Sequence, residues 1–280
     1  MGTETHGLTA AELRAAETYF DAAPRADAVA HPVGPFTLFV STTPFGYYAR
    51  PRRDAGPIGA GAVHQLVLAC AEHNVTAEVE WIHELHLALA QTLQAAGFAT
   101  RAHALMTADP RDVVPPGESG PRVRVVEDEE AVRTARAVTG VAFSHGGTGV
   151  GRAGADERDR ARADVGADEI QHLLDRAGRG LTVTLAAEDA TGMVAVGSYQ
   201  PVNGLAEIVA VATLPAARRQ GLADLVTRHL VRHAWDHGVT GLLLSAQDES
   251  VARVYARVGF RRVGTAMAAV LERGPAGEDA

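Results

Sequence analysis

The chain has 280 residues, 46% of them apolar and 21% charged, a balance that can bury a sizeable core and excludes a wholly disordered protein. Its formal charge of −8 argues against a general binder of nucleic acid or of an anionic membrane surface, since either needs a basic face. Cys70 is the only cysteine, which excludes an intramolecular disulfide and a cysteine-based zinc site and fits a reducing, cytoplasmic setting.

The N-terminal stretch "MGTETHGLTAAELRAAETYF" lacks the basic start and apolar core of a secretory signal. No apolar run approaches the ~20 residues of a membrane helix. Residues 36–51 read as strand material and "GAVHQLVLACAEHN" as a helix, followed by "TAEVEWI" as a strand. "HLALAQTLQAAGF" reads as a helix ending in Gly-Phe, and "RAHALMTAD" as a closing strand. "HELH" (83–86) lacks the spacing of a zinc protease and is expected on a helix surface. "GAGAVH" (59–64) has two glycines of a dinucleotide fingerprint, but His64 stands where the third should be.

Residues 107–121, "TADPRDVVPPGESGP", hold four prolines and polar turn formers and predict a linker. "SHGGTGVGRAGADERDRARADVGADE" (144–169) is glycine-rich and then densely charged, and is expected to be a mobile loop. Its "GGTGVGRA" fails as a phosphate loop, because Arg152 and Ala153 stand where Lys and Ser or Thr are needed. A short helix over 169–178 and a strand over 181–189 follow. Asn203-Gly204 between two β-rich runs predicts a hairpin, both residues tolerating positive φ. Then come a helix over 222–237, a buried strand at 241–246, a helix over 249–258 and a final strand from Phe260.

The fold class expected is α/β (α+β), with mixed sheets carrying helices on both faces. "LQAAGF" (93–98) and "YARVGF" (255–260) hold equivalent places in the two halves, which suggests a diverged duplication. The domains expected are 1–107, a linker at 108–121, 122–273, and a flexible tail at 274–280.

The chemistry concentrates in "TLPAARRQGLADLV" (213–226), where a strand passes through two arginines and a glycine into a helix. The first turn of a helix leaves N–H groups unpaired and is locally positive. Gly221 lets an anion approach that backbone without a Cβ in the way, and Arg218 and Arg219 add charge suited to phosphate. The alternative is an ordinary helix entry with solvated arginines.

Arg218, Gly221 and Ala223 fit Arg/Gln-x-x-Gly-x-Gly/Ala, Gly221 lies fourteen positions after Glu207, and Tyr255 stands four before Gly259-Phe260. In this order the sequence resembles the GNAT superfamily of acyl-CoA-dependent N-acyltransferases, with full motifs over 122–272. Over 1–107 the likeness holds only in outline, which implies a tandem architecture with a degenerate N-terminal half. Leu93 stands where Tyr255 does, so that half is expected to lack the thiolate acid.

The resemblance implies that backbone groups of Val211, Ala212 and Thr213 hold a pantetheine arm. It implies that N–H groups along Arg218, Arg219, Gln220, Gly221, Leu222, Ala223 and Asp224 hold a pyrophosphate. Tyr255 would protonate the departing thiolate, and Glu207 would take the proton of the attacking amine. Asp248 stands where many members carry a cofactor-touching asparagine. Asp224 suits the helix dipole but would repel a phosphate if turned inward.

His229, His233 and His237 share a helix face, and with Arg228 and Arg232 beside them a solvated basic face is expected rather than a metal site. The function implied is acetyl transfer from acetyl-CoA, without a metal, to the amine of a small molecule or peptide in a ternary complex. No nucleic-acid or membrane partner is expected, and a homodimer is compatible with this reading. The competing class is a non-catalytic acyl-CoA sensor or interaction module.

Overall fold

A computed structural model of the chain describes residues 3–117 and 120–272, the first helix by its backbone alone up to residue 9. The N-terminal elements are α1 (Thr3–Ala22), β1 (Ala28–Val33), β2 (Phe36–Ser41), β3 (Ala49–Pro51), α2 (Ala60–Glu72), β4 (Glu78–Ile82), α3 (Leu89–Ala95) and β5 (Phe98–Ala108). They are followed by β6 (Arg122–Val125), α4 (Glu129–Ser144), α5 (Ala155–Ala161), α6 (Ala167–Gly178), β7 (Val183–Asp189) and β8 (Gly192–Val202). The chain continues through β9 (Leu205–Thr213), α7 (Leu222–Asp236), β10 (Gly241–Ala246), α8 (Glu249–Val258) and β11 (Arg261–Leu271). None of the described helices is long and apolar enough to cross a membrane.

These elements form two compact units, Met1–Leu105 with Val263–Ala280, and Met106–Arg262. The first has the strand order β1-β2-β3-β4-β11-β5. Strand β11 runs antiparallel to β4, from Ala266 opposite Ile82 to Val270 opposite Glu78. The sequence reading gave 122–273 to a single domain, yet this last strand joins the first unit. Its register buries Ala269 in the core formed by Phe36, Leu66, Trp81, Leu93 and Phe98. Short alternating residues fit any sheet with an unpaired neighbour, so pairing is chosen by which core the strand completes and not by sequence adjacency. Leu93 is fully buried in that core.

Two local expectations change. "HELH" is not a helix surface: residues His83–Leu85 form a single 3-10 turn, and the half-buried His86 brings Nε2 within 3.4 Å of Glu17 Oε1 on α1. The segment expected to be a linker is anchored over its first part. Strand β5 runs on to Ala108, the Asp109 carboxylate accepts the Arg111 N–H at 2.9 Å, and Val113 is buried. The tail at 274–280 lies outside the described residues.

The second unit orders its strands β10-β9-β8-β7-β6. Helix α4 went unread in the sequence although its signals are local: Asp128 caps it by accepting the Ala131 N–H at 2.8 Å, and Val132, Ala135, Val138, Thr139 and Ala142 form its buried stripe. The 144–169 segment is not simply a loop, because α5 occupies 155–161. Glu157 accepts the Gly154 N–H at 2.8 Å, and the buried Arg158 donates to the carbonyls of Met193 and Thr191. A buried guanidinium satisfied by carbonyls holds this charged stretch on the β7–β8 turn.

The β8–β9 turn is the expected hairpin, with φ of 51° at Asn203 and 83° at Gly204. Tyr199 of β8 is buried, and its hydroxyl lies 2.9 Å from His233 Nδ1 on α7. His237 stacks on His233 with ring centroids 4.0 Å apart. The face expected to be solvated is thus partly engaged with the core, because Tyr199 needs a polar partner when buried.

Helix α7 sits over Gly197 of β8. A Cβ there would lie 2.8 Å from Leu230 Cδ1 and 3.1 Å from both Val211 Cγ2 and Val226 Cγ1. Gly197→Ala is therefore expected to destabilise the fold by about 1–3 kcal/mol. A urea midpoint unchanged from wild type, with an unchanged slope, would show that α7 can shift to make room.

Candidate active site

The site is built on β9. Its register with β8 pairs Leu205 through Val209 in order with Val202 through Ser198, then slips, resuming at Ala212 opposite Val196 and Thr213 opposite Ala195. Ala210 takes up the slip with φ of 53°, a conformation alanine rarely adopts. The extra residue is a β-bulge, and it reverses the alternation of side chains. Val211 consequently points to the α7 side, where its methyl shares the space above Gly197 with Leu230 and Val226. The parallel register of β9 with β10 runs from Leu205 opposite Gly241 to Glu207 opposite Leu243. Both strands continue beyond that pairing, β9 through the bulge to Thr213 and β10 to Ala246. A strand that bulges and leaves its partner offers backbone groups to an extended ligand. At its end, Thr213 Oγ1 is buried with no hydrogen-bond partner.

Glu207 faces Gln200 across β8 and lies on the side of the sheet away from α7, one step from the Tyr199–Ile208 pair that faces α7. It is half-buried.

After β9 the chain makes a 3-10 turn over Pro215–Ala217 and enters α7 through two left-handed residues, Arg219 at φ 66° and Gly221 at φ 78°. Gly221 is the N-cap of α7 and is exposed, and a Cβ built on it would meet nothing within 4 Å. This left-handed cap leaves open space beside the start of the helix. The geometry fits an anionic group there, since only glycine combines that φ with unobstructed approach. The matching helix of the first unit starts differently, Gly59 capping α2 with φ of −97° in extended conformation.

The two arginines part company. Arg219 is exposed and makes no hydrogen bond with another described residue, whereas Arg218 turns its guanidinium to four main-chain carbonyls. The charge expected from Arg218 for a phosphate is therefore committed elsewhere. Asp224 does not face the open helix end: it pairs with Arg228 one turn on, at 2.7 Å. Arg228 also donates to the carbonyls of Val114 and Arg257, which fixes the pair in place and offsets the negative charge.

Asp248 is the N-cap of α8 and accepts the N–H groups of Ser250 and Val251 at 2.7 and 3.0 Å, as well as the Ser250 hydroxyl. Those hydrogen bonds, the Ser250 hydroxyl's first, hold its carboxyl below the usual carboxylate range. Two turns on, Tyr255 is buried and its hydroxyl makes no hydrogen bond with another described residue. Burial pushes its phenol up to about 12. The spacing to Gly259-Phe260 has a plain cause. Gly259, at φ 125°, reverses the chain so that the N–H groups of Gly259 and Phe260 both return to the Tyr255 carbonyl. Phe260 then packs edge-on against the Tyr255 ring, centroids 5.9 Å apart, and fixes its orientation.

A bulged strand, a left-handed glycine opening a helix, and a buried tyrosine on the next helix lie within residues 141–260, and this segment matches the acetyltransferase (GNAT) family. These residues are a GNAT domain. The whole-chain fold agrees. A GCN5-related N-acetyltransferase from Kribbella flavida is 20% identical with a TM-score of 0.70, the match covering 94% of this chain and 96% of that one. A functionally unknown protein from Staphylococcus epidermidis is 11% identical with a TM-score of 0.58, covering 87% and 93%. A tandem GNAT protein from the clavulanic acid biosynthesis pathway is 16% identical with a TM-score of 0.53, covering 86% and 79%. None of the curated proteins compared matches this chain.

Proteins of the GNAT family are acyl-CoA-dependent acyltransferases that act in general on amine acceptors. Within this GNAT domain, two features escaped the sequence. Ala210 carries the bulge, yet alanine gives no signal for positive φ. The role of Arg228 in turning Asp224 aside was open to reading, because Asp-x-x-x-Arg is a standard helical ion pair.

Proposed function

We propose that the chain transfers an acetyl group from acetyl-CoA to a primary amine by direct attack within a ternary complex in the cytoplasm. The observation that carries this reading is the open, left-handed Gly221 cap directly after a bulged strand, a shape suited to a pyrophosphate followed by an extended arm. Backbone groups of Val211, Ala212 and Thr213 receive the pantetheine arm, and N–H groups from Arg218 to Asp224 the pyrophosphate. The amine nitrogen forms a bond to the thioester carbon as the carbon–sulfur bond breaks. Glu207 accepts the proton the amine must lose, directly or through water, and Tyr255 donates its proton to the departing thiolate. An alkyl amine is mostly protonated at neutral pH, so a base on this path is needed. Asp248, committed to capping α8, supports the loop before the helix.

The deciding experiment is thiol release from acetyl-CoA against a panel of amino acids, polyamines, aminoglycosides and peptides, with acetyl-CoA affinity from calorimetry. Amine-dependent release supports the proposal. Binding without release for any amine would favour an acyl-CoA sensor, and failure to bind acetyl-CoA would sink both. Glu207→Gln is expected to lower kcat/KM about 10²-fold and to change the acidic limb of its pH profile, to which deprotonation of the amine also contributes. An unchanged profile would assign that carboxylate a structural part only.

A further inference from the structure

The guanidinium of Arg218 is held entirely by main-chain carbonyls. Its Nη2 donates to the Ala142 carbonyl at 2.8 Å and to the His145 carbonyl at 2.7 Å. Its Nη1 donates to the Gly149 carbonyl at 3.1 Å, and its Nε to the Thr213 carbonyl at 3.3 Å. A guanidinium has five N–H donors. With four used on carbonyls, one is left for any ligand.

These acceptors are not scattered. Ala142 and His145 lie at the C-terminal end of α4, where unpaired carbonyls and the helix dipole concentrate negative charge. Gly149 lies in the glycine-rich segment that follows, and Thr213 ends β9. Two main-chain hydrogen bonds continue the attachment: Gly151 N–H to the Pro215 carbonyl at 3.0 Å, and Ala216 N–H to the Ala153 carbonyl at 2.9 Å. A Cβ on Gly151 would lie 2.9 Å from Pro215 Cβ, and one on Gly154 would lie 3.3 Å from Ala216 Cβ. Gly151 and Gly154 thus allow close contact between the two segments. Segment 142–154 is a strap laid along residues 213–218 and pinned by Arg218, and it carries the exposed side chains of Phe143 and Val150.

We infer that Arg218 is a positioning residue that couples the strap of residues 142–154 to the pyrophosphate loop, leaving Arg219 as the cation that meets the phosphates. The coupling rests on the proposed function, because it makes occupation of the loop tighten the strap. The pinning itself does not. Both are read by amide hydrogen exchange on the full chain with and without coenzyme A, alongside calorimetry of coenzyme A, for wild type, Arg218→Ala, Arg218→Lys and Arg219→Ala.

Without ligand, Arg218→Ala is expected to speed exchange at 145–153 at least tenfold, and Arg218→Lys to restore part of that protection. Coenzyme A is expected to slow exchange of the strap in wild type but not in Arg218→Ala, although residues 219–225 are protected in both. Its Kd is expected to change less than threefold in Arg218→Ala and to weaken more than tenfold in Arg219→Ala. Unchanged strap exchange in Arg218→Ala overturns the inference. So does a Kd weakened more than tenfold by that change, which would make Arg218 a phosphate ligand. Should Arg218→Ala fail to fold by circular dichroism, the same comparisons with Arg218→Lys and Arg218→Gln decide it. If wild type does not bind coenzyme A, the proposed function and the coupling fail together, and ligand-free exchange still decides whether Arg218 pins the strap.

Discussion

Tyr255→Phe is expected to lower kcat for amine-dependent thiol release about 10²-fold or more while leaving the Kd of acetyl-CoA within a factor of about three. The change removes one hydroxyl from a ring that Phe260 and the body of α8 hold in place, so geometry is preserved and only the proton is lost. A phenol pushed up to about 12 by burial remains protonated throughout the working range. The proton is therefore present at neutral pH, and its ionisation should not limit the rate below about pH 10. Steady-state thiol release and calorimetry on the same preparations separate the outcomes. Equal losses of kcat and of affinity would instead mark Tyr255 as a packing residue.

The same burial makes a stability prediction. Tyr255 and Tyr199 are both pushed up to about 12, so in the folded chain they hold protons that an unfolded tyrosine releases near pH 10. Above that pH the unfolded state binds fewer protons, and stability falls as pH rises towards 12; below it the two groups contribute no slope. Urea midpoints from pH 8 to 11 are expected to drop at the alkaline end, less so in a Tyr199→Phe/Tyr255→Phe chain. A flat midpoint across that range would contradict the burial of both hydroxyls.

Gly221→Val is expected to weaken acetyl-CoA binding at least tenfold, with binding undetectable as the plausible extreme. Gly221 combines φ of 78° with open space around the position a Cβ would take. A β-branched residue strains that backbone by about 1–3 kcal/mol and puts methyl groups where the anion is to sit. Relief of the strain would rotate the first N–H groups of α7 away from the open side. Strain and obstruction therefore act in the same direction on binding. Calorimetry with acetyl-CoA and thermal unfolding of the same variant distinguish lost binding from lost folding. Retention of wild-type affinity in a folded Gly221→Val chain would move the pyrophosphate away from this helix end.

Much of the GNAT domain was legible as sequence because its signals are local. Asn203-Gly204 fixes a hairpin by its own φ preferences, and Tyr255 to Phe260 records a helix end that only glycine can make. The strand at 241–246 and the helix at 249–258 occupy the expected residues. The first half was readable in outline, and Leu93 in its core holds the place that Tyr255 takes in the second unit. The charged stretch after Gly154 was not readable. Its helix depends on Glu157 capping Gly154 and on Arg158 reaching two carbonyls more than thirty residues away.

By itself, then, the sequence determined the fold class, the hairpin, the helix end at Gly259, and a glycine at the point where a strand becomes a helix. The tertiary structure decided that β11 completes the first unit, that Ala210 bulges, and that Arg218 faces the strap while Arg219 hydrogen-bonds to no other described residue. The physical reason is common to all three. Turn and cap preferences reside in the few residues that adopt them, whereas every residue in the chain carries a carbonyl and almost every residue an N–H. A side chain or strand that seeks such a partner leaves no mark at the partner's position, and the choice is made only when packing brings one of many equivalent acceptors within reach.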